Sequence, residues 1–183
     1  MKVDKINKVL QVVVEYIKII FIAFILSGIV MCFIRITKVE GKSMEHTLQD
    51  KDILLLNRRS YKKKNLEYRD IVVIDTFNGE NNFIIKRVIA IEGDTFEIKN
   101  NKILLNDKEL DEEYTKLGEN TKYEDFSKIT IPKDKIFAMG DNRENSADSR
   151  VYGVFDCKEQ IIGEIMIGLV PFKSPKDLLI ENR

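Results

Sequence analysis

Residues Ile19 to Ile34, IIFIAFILSGIVMCFI, run for 16 positions without a charge. Nothing else in the chain limits its fold so strongly, because a helix that is apolar all round has no face to turn to water and must be enclosed. A chain of 183 residues, a third of them charged, has too small a body to enclose it. Extending the run to Tyr16 and Ile36 gives 21 residues, close to the roughly 20 that span about 30 Å of hydrocarbon. Lys18 and Arg35 lie near the ends and can snorkel to headgroups, and Tyr16 suits the interface. A cleaved leader would close on a small-x-small pair. Here Cys32-Phe33-Ile34-Arg35-Ile36-Thr37 follows, with no such pair. The reading is therefore an uncleaved transmembrane anchor over residues 16–36. Lys2, Lys5, Lys8 and Lys18 precede or open it against only Asp4 and Glu15, which places a tail of residues 1–15 in the cytoplasm. The body, residues 37–183, then lies outside the cytoplasm on a single-pass membrane protein.

Charge narrows the function. The chain carries 30 Lys+Arg and 30 Asp+Glu, and the body beyond residue 34 holds 26 cations against 28 anions. So balanced a body is a poor partner for nucleic acid, whose binding rests on neutralising phosphates. The one basic cluster, Lys62-Lys63-Lys64 beside Arg58 and Arg59, reads as a solvated loop or as a contact with anionic membrane lipid. Cys32 sits in the apolar run and Cys157 in a distant polar stretch, so no disulfide is expected. With a single histidine and no Cys/His cluster, no zinc site is expected.

The body reads as mainly β. Short runs rich in Ile, Val and Leu occur at Asp52–Asn57, Asp70–Asp75, Phe83–Ile91, Thr95–Ile98, Lys102–Leu105 and Ile161–Val170, punctuated by Gly, Asn and Asp. Asn78-Gly79 and Glu92-Gly93-Asp94 read as turns, and Asn100-Asn101 as a hairpin. Residues 107–130 are polar and irregular, the pattern of a surface excursion. The expected fold is an antiparallel, barrel-like β body behind one transmembrane helix.

Three features could carry chemistry. Lys86 sits mid-strand in Phe-Ile-Ile-Lys-Arg-Val-Ile-Ala-Ile, with Ile84, Val88 and Ala90 on its face and Ile85 and Ile89 beside Arg87 on the other. With both faces apolar, a cation is expected in a buried setting, where a lysine loses solvation for its charged form. A neutral amine there could serve as base for a hydroxyl nucleophile. Ser43 lies just beyond the membrane run, in Gly41-Lys42-Ser43-Met44-Glu45-His46-Thr47-Leu48. Alone it reads as a turn serine. The third feature, Asp141 to Arg150 (DNRENSADSR), fails as a calcium loop because Arg143 takes a ligand position and Ser146 the glycine position. Its acids, amides and arginines suit an internally paired network.

Together these segments resemble the type I signal peptidases, the serine–lysine endopeptidases that remove signal peptides, in their short Gram-positive-like form. The resemblance rests on an N-terminal anchor, Gly-x-Ser-Met-x-x-Thr-Leu at Gly41–Leu48, Asp-Ile-Val-Val at Asp70–Val73, Lys-Arg-Val-Ile-Ala-x-x-Gly-Asp at Lys86–Asp94, and Met-Gly-Asp-Asn-Arg-x-x-Ser-x-Asp-Ser-Arg at Met139–Arg150. It implies Ser43 as nucleophile and Lys86 as general base, without a cofactor. It further implies that Ser146 orients the lysine amine, that Asp148 and Arg150 pair behind it, and that Asp141, Asn142 and Arg143 brace the loop. The Ser43 amide would stabilise the oxyanion. The substrate, the signal peptide of an exported preprotein, would add as a strand near Thr37–Lys42 and Asn82–Ile85. Its small side chains would meet Val39, Gly41, Met44, Leu48, Leu54, Ile84 and Ile85. Two departures stand out: His46 replaces the usual proline after the nucleophile, and Arg69 replaces a glycine. The alternative is a relative devoted to pilus assembly, either non-catalytic or dedicated to pilins.

Overall fold

The computed structural model describes residues 2–58, 66–77, 83–115 and 123–179, apart from the side chains of 2–10, 29 and 30. The Lys62–Lys64 cluster with Arg59, the Asn78-Gly79 turn and Asn82 lie outside the described residues. The chain divides into two units, residues 1–35 and 36–183.

The first unit is helix α1, Lys2–Phe33. Within it Gln11–Phe33, 23 residues of mean hydropathy 2.4, is long and apolar enough to cross a membrane. At 1.5 Å per residue it is about 35 Å long. Tyr16, Ile19, Ile20, Phe21 and Phe24 are all exposed on it, consistent with a membrane anchor. The helix ends at Phe33 rather than at Ile36, and it begins well before Tyr16. At its end the pattern changes to Ile34-Arg35-Ile36-Thr37-Lys38, rich in β-branched residues with charges interspersed, which form strand β1, Ile34–Lys38.

The body is mainly β, with short helical turns only at Arg143–Asn145, Ser149–Tyr152 and Pro175–Leu179 among the described residues. In chain order the strands are β2 (Ile53–Asn57), β3 (Ile71–Asp75), β4 (Phe83–Ala90), β5 (Thr95–Lys99), β6 (Lys102–Leu105), β7 (Lys108–Glu109), β8 (Phe126–Thr130), β9 (Lys135–Met139), β10 (Phe155–Asp156) and β11 (Ile161–Val170). They form a seven-stranded sheet ordered β1-β2-β11-β3-β4-β9-β10 and a four-stranded sheet ordered β7-β6-β5-β8. The pairings from β2 onward are antiparallel. Among the described residues neither sheet closes on itself, so the body is a pair of open sheets and not a closed barrel. The β5–β6 hairpin turns at Asn100 and Asn101, both at positive φ (51° and 63°), as a type I′ turn requires.

Residues 107–130 are not merely a surface excursion. Strand β8 lies there, and Tyr114 is buried in one core cluster with Phe96, Phe137 and Ile131. Phe126 meets Phe96 and Phe137 edge-on at 5.8 and 5.4 Å. The polar letters of the segment hide this, because the buried members are few and widely spaced.

Alternation along β3 and β4 decides what faces what. Ile71, Val73 and Ile85 join a cluster with Val39, Met44, Leu48, Leu54 and Leu178. Val72, Ile74, Ile84 and Val88 join another with Ile136, Ala138 and Phe155. Register pairs Val72 with Lys86 and Ile71 with Arg87, so the two cations point to opposite faces of one sheet.

Candidate active site

Strand β4 carries Lys86 into the body, where it is 2% exposed. Its Nζ donates to Ser43 Oγ at 2.6 Å, across 43 residues of sequence. Burial drives the lysine pKa down to about 8; Asp148 and Asp141 oppose the fall, and Arg150 adds to it. No histidine stands between amine and hydroxyl: His46 is exposed on the same turn as Ser43. Its φ of 92° lies in the left-handed region, which the ring of the family's proline, fixed near −65°, cannot enter. Arg69, the other departure, also has positive φ (76°), where a glycine would be at ease.

Ser43 rides on a tight turn held at several points. The Gly41 amide, at φ 91°, donates to Asp50 Oδ1 at 3.0 Å. Thr47 and Leu48 amides return to the Met44 carbonyl. Asn142 grips the backbone on both sides of Ser43: its amide donates to the Ser43 carbonyl at 3.0 Å, and its Nδ2 to the Lys42 carbonyl at 3.1 Å.

The loop after β9 stands against that turn. Gly140 is obligatory by contact: a Cβ there would sit 2.4 Å from the Ser43 carbonyl oxygen and 2.3 Å from Ser146 Oγ. Asp148, fully buried, accepts from the Gly140 amide (3.0 Å), Ser146 Oγ (2.7 Å) and Arg150 through Nε and Nη2 (2.8 Å each). It also caps the short helix α2, Ser149–Tyr152, by accepting from the Arg150 amide. Burial works to raise its pKa, but the Arg150 contacts, the Gly140 amide and the Ser146 hydroxyl outweigh it and hold it below the usual carboxylate range. The Ser146 hydroxyl spends its proton on Asp148; among the described residues no hydrogen bond joins it to Lys86.

On the other face of β4, Arg87 is 0% exposed and fully engaged. It grips Asp141 through Nε (2.8 Å) and Nη2 (2.7 Å), and donates to Thr47 Oγ1 and to the carbonyls of Arg69 and Leu178. Thr47 Oγ1 in turn donates to Asp141 Oδ2. Arg143 forms a buried two-pronged pair with Glu112, and Tyr114 lays its ring 4.3 Å from the Arg87 guanidinium. Lys173 Nζ reaches back to the Thr47 carbonyl (2.7 Å) and Asp52 (2.6 Å).

The expected site residues thus sort into four groups. Ser43 and Lys86 form one hydrogen-bonded pair, and Ser146, Asp148 and Arg150 a second group that stands against the Ser43 turn at Gly140. Asp141, Asn142 and Arg143 tie the loop to the Ser43 turn, to Arg87 and to Glu112. Of the residues expected to meet the substrate, Val39, Met44, Leu48 and Leu54 are buried in one core cluster that Ile85 packs against, while Ile84 lies on the Lys86 face and Gly41 is exposed. Sequence reasoning assigned no role to Thr47, Arg87, Glu112, Tyr114 or Lys173. Only Arg87, mid-strand between apolar neighbours, carried a signal.

The geometry therefore sets a buried lysine amine on a serine hydroxyl within antiparallel sheets, and similarity to known proteins gives the class of enzyme that holds it, a serine peptidase. The family model for signal peptidase, peptidase S26, matches residues 13–170. A signal peptidase I from Bacillus amyloliquefaciens is 36% identical over 171 residues, covering 88% of this chain and 90% of that one. A signal peptidase IB from Staphylococcus aureus (strain COL) is 35% identical over 183 residues, covering 90% and 93%. A solved signal peptidase I from Enterococcus faecalis V583 is 27% identical, with a TM-score of 0.47 over 55% of this chain and 97% of that one. The chain belongs to the signal peptidase family, peptidase S26, the serine peptidases that remove signal peptides from exported preproteins.

Proposed function

We propose that Ser43 is the nucleophile and Lys86 the general base of signal-peptide removal. The observation that carries this is the 2.6 Å contact between a 2%-exposed lysine amine and a serine hydroxyl. Bringing the lysine to about 8 leaves a working fraction of neutral amine near neutral pH. That amine takes the hydroxyl proton as Oγ attacks the scissile carbonyl, then gives it to the departing amine. Water attacks the acyl-enzyme by the same route in reverse.

The Ser43 amide donates no hydrogen bond among the described residues, and so can meet the oxyanion. Asn142, holding the Lys42 carbonyl of the same peptide plane, aims that amide away from itself. Ser146, its proton given to Asp148, keeps lone pairs to accept from and so orient the lysine amine, a hydrogen bond not made among the described residues. Asp148, paired with Arg150, braces the loop, Arg150 working against its pull toward a charged lysine, and Asp141, Asn142 and Arg143 hold the loop to the turn.

The substrate adds as a strand. Strand β9 pairs with β4 only from Arg87 onward, leaving Phe83–Lys86 with one open edge among the described residues. That edge and residues 37–42 flank Ser43, and Gly41, Ile84 and Ile85 meet the peptide over a floor of Val39, Met44, Leu48 and Leu54. The apolar span Gln11–Phe33 anchors the chain, the residues before it lie in the cytoplasm, and the body beyond it faces outward near anionic lipid, away from nucleic acid. Protease added to intact spheroplasts should digest the body; protection would reverse the orientation.

The test of the assignment is cleavage of a secretory precursor by the detergent-solubilised chain, with sequencing of the new N-terminus. Ser43→Ala and Lys86→Ala should fall to background while His46→Ala keeps substantial activity. Cleavage surviving in Lys86→Ala but lost in His46→Ala would overturn the base.

A further inference from the structure

The segment around Glu112 touches both arginines that flank the site. Glu112 accepts from Arg143 through both carboxylate oxygens, and the two side chains are 6% and 2% exposed. Tyr114 donates its hydroxyl to Glu112 Oε1 at 2.7 Å and presents its ring to Arg87 at 4.3 Å. With two atoms of its guanidinium fixed on Glu112, Arg143 aims Nε at the Gly140 carbonyl, 3.0 Å away. Its own carbonyl accepts from Arg150, the partner of Asp148.

Gly140 has no slack. The space where its Cβ would be is taken by the Ser43 carbonyl oxygen and Ser146 Oγ. A shift of this peptide therefore passes directly to the serine turn and to Ser146. Charge fixes the direction of the effect. Without Glu112, the Arg143 cation would be buried with no anionic partner, and it would turn toward water or another carboxylate rather than stay on a neutral carbonyl.

We propose that Glu112 is a positioning residue of the peptidase reaction, acting through Arg143 to hold the Gly140 backbone against Ser43. This rests on Ser43 being the nucleophile. Glu112 touches no reacting atom, so its loss should slow the chemical step and leave substrate binding alone. Misplacement of reacting groups on the scale of 1 Å costs about 10²-fold.

The experiment uses the full chain in detergent with a precursor peptide, comparing Glu112→Gln, Arg143→Gln, the double variant and Ser43→Ala. Glu112→Gln should lower kcat by about 10- to 100-fold with KM within about twofold. The double variant should be no slower than Arg143→Gln alone, because the two act in series. Phe126→Leu, in the same core region, should lower the thermal midpoint without this loss of kcat. An unchanged kcat in Glu112→Gln, multiplied losses in the double variant, or an equal kcat loss in Phe126→Leu would overturn the proposal. If Glu112→Gln does not fold, Tyr114→Phe decides: it keeps the ring on Arg87 and removes one donor to Glu112. A lower kcat at constant KM supports the role, and a wild-type kcat overturns it. Activity surviving in Ser43→Ala would instead mean that the nucleophile is misassigned, a failure separable from this one.

Discussion

Lys86 and Arg87 are neighbours in one strand, both buried, and the protein treats them in opposite ways. Arg87 meets a carboxylate, a hydroxyl, two backbone carbonyls and an aromatic face. Lys86 meets one serine hydroxyl. A guanidinium cannot shed its proton at any physiological pH, so burying it demands full pairing, and once paired it can only hold structure. An ammonium left under-compensated gives up its proton instead. The face of β4 that carries Arg87 is therefore scaffold, and the face that carries Lys86 is the one proposed to react, because its charge is poorly served.

The largest effect expected from this contrast is on the scaffold side. Arg87→Met should cost about 3–5 kcal/mol of stability, since Asp141 is left as a buried carboxylate whose one remaining hydrogen bond among the described residues comes from Thr47. Chemical denaturation of the body should show it; an unchanged midpoint would mean the pair is dispensable.

The opposite sign is expected next door. Lowering Lys86 from 10.5 to about 8 corresponds to roughly 3 kcal/mol of folding free energy given up while both states are protonated. Lys86→Met should then be inactive yet more stable than the parent below pH 8. The advantage should shrink from pH 8 to 10.5, where the folded lysine is neutral and the unfolded one still charged. A destabilised Lys86→Met at pH 7 would contradict the idea that the site is held under strain of desolvation.

A smaller change separates orientation from charge. Ser146→Ala removes the hydroxyl between Gly140 and Asp148 but no ion pair. The cleavage rate should fall by about 10²-fold with little change in thermal midpoint. A wild-type rate would place Ser146 among the scaffold residues.

How much of this could be read from the sequence differs between the same two faces. Lys86 in an apolar strand, the 16-residue uncharged run and the Asp141–Arg150 segment are local patterns. So are the strands at Ile53–Asn57, Ile71–Asp75 and Ile161–Val170, which lie within a residue of where hydropathy put them. The partners of Arg87 are not local. Thr47, Asp141, Leu178 and Tyr114 come together only when the sheet forms, and Glu112 and Tyr114 sit in a polar stretch whose buried members leave no periodicity. The openness of the sheets is illegible for the same reason: closure depends on which strands end up at the edges. His46 and Arg69 were visible as departures, but their positive φ values belong to turns whose geometry a single sequence does not fix.

The central claim is that the Lys86 amine loses its proton near the pH at which the enzyme works. The direct measurement is an NMR titration of the full chain in micelles with lysine Cε labelled, the Lys86 resonance being assigned by its absence in Lys86→Met. That resonance should titrate near 8, and kcat/KM should rise with pH through the same value and level off above it. A Lys86 resonance titrating near 10.5, with a rate limb that does not follow it, would show that the buried lysine is not the base.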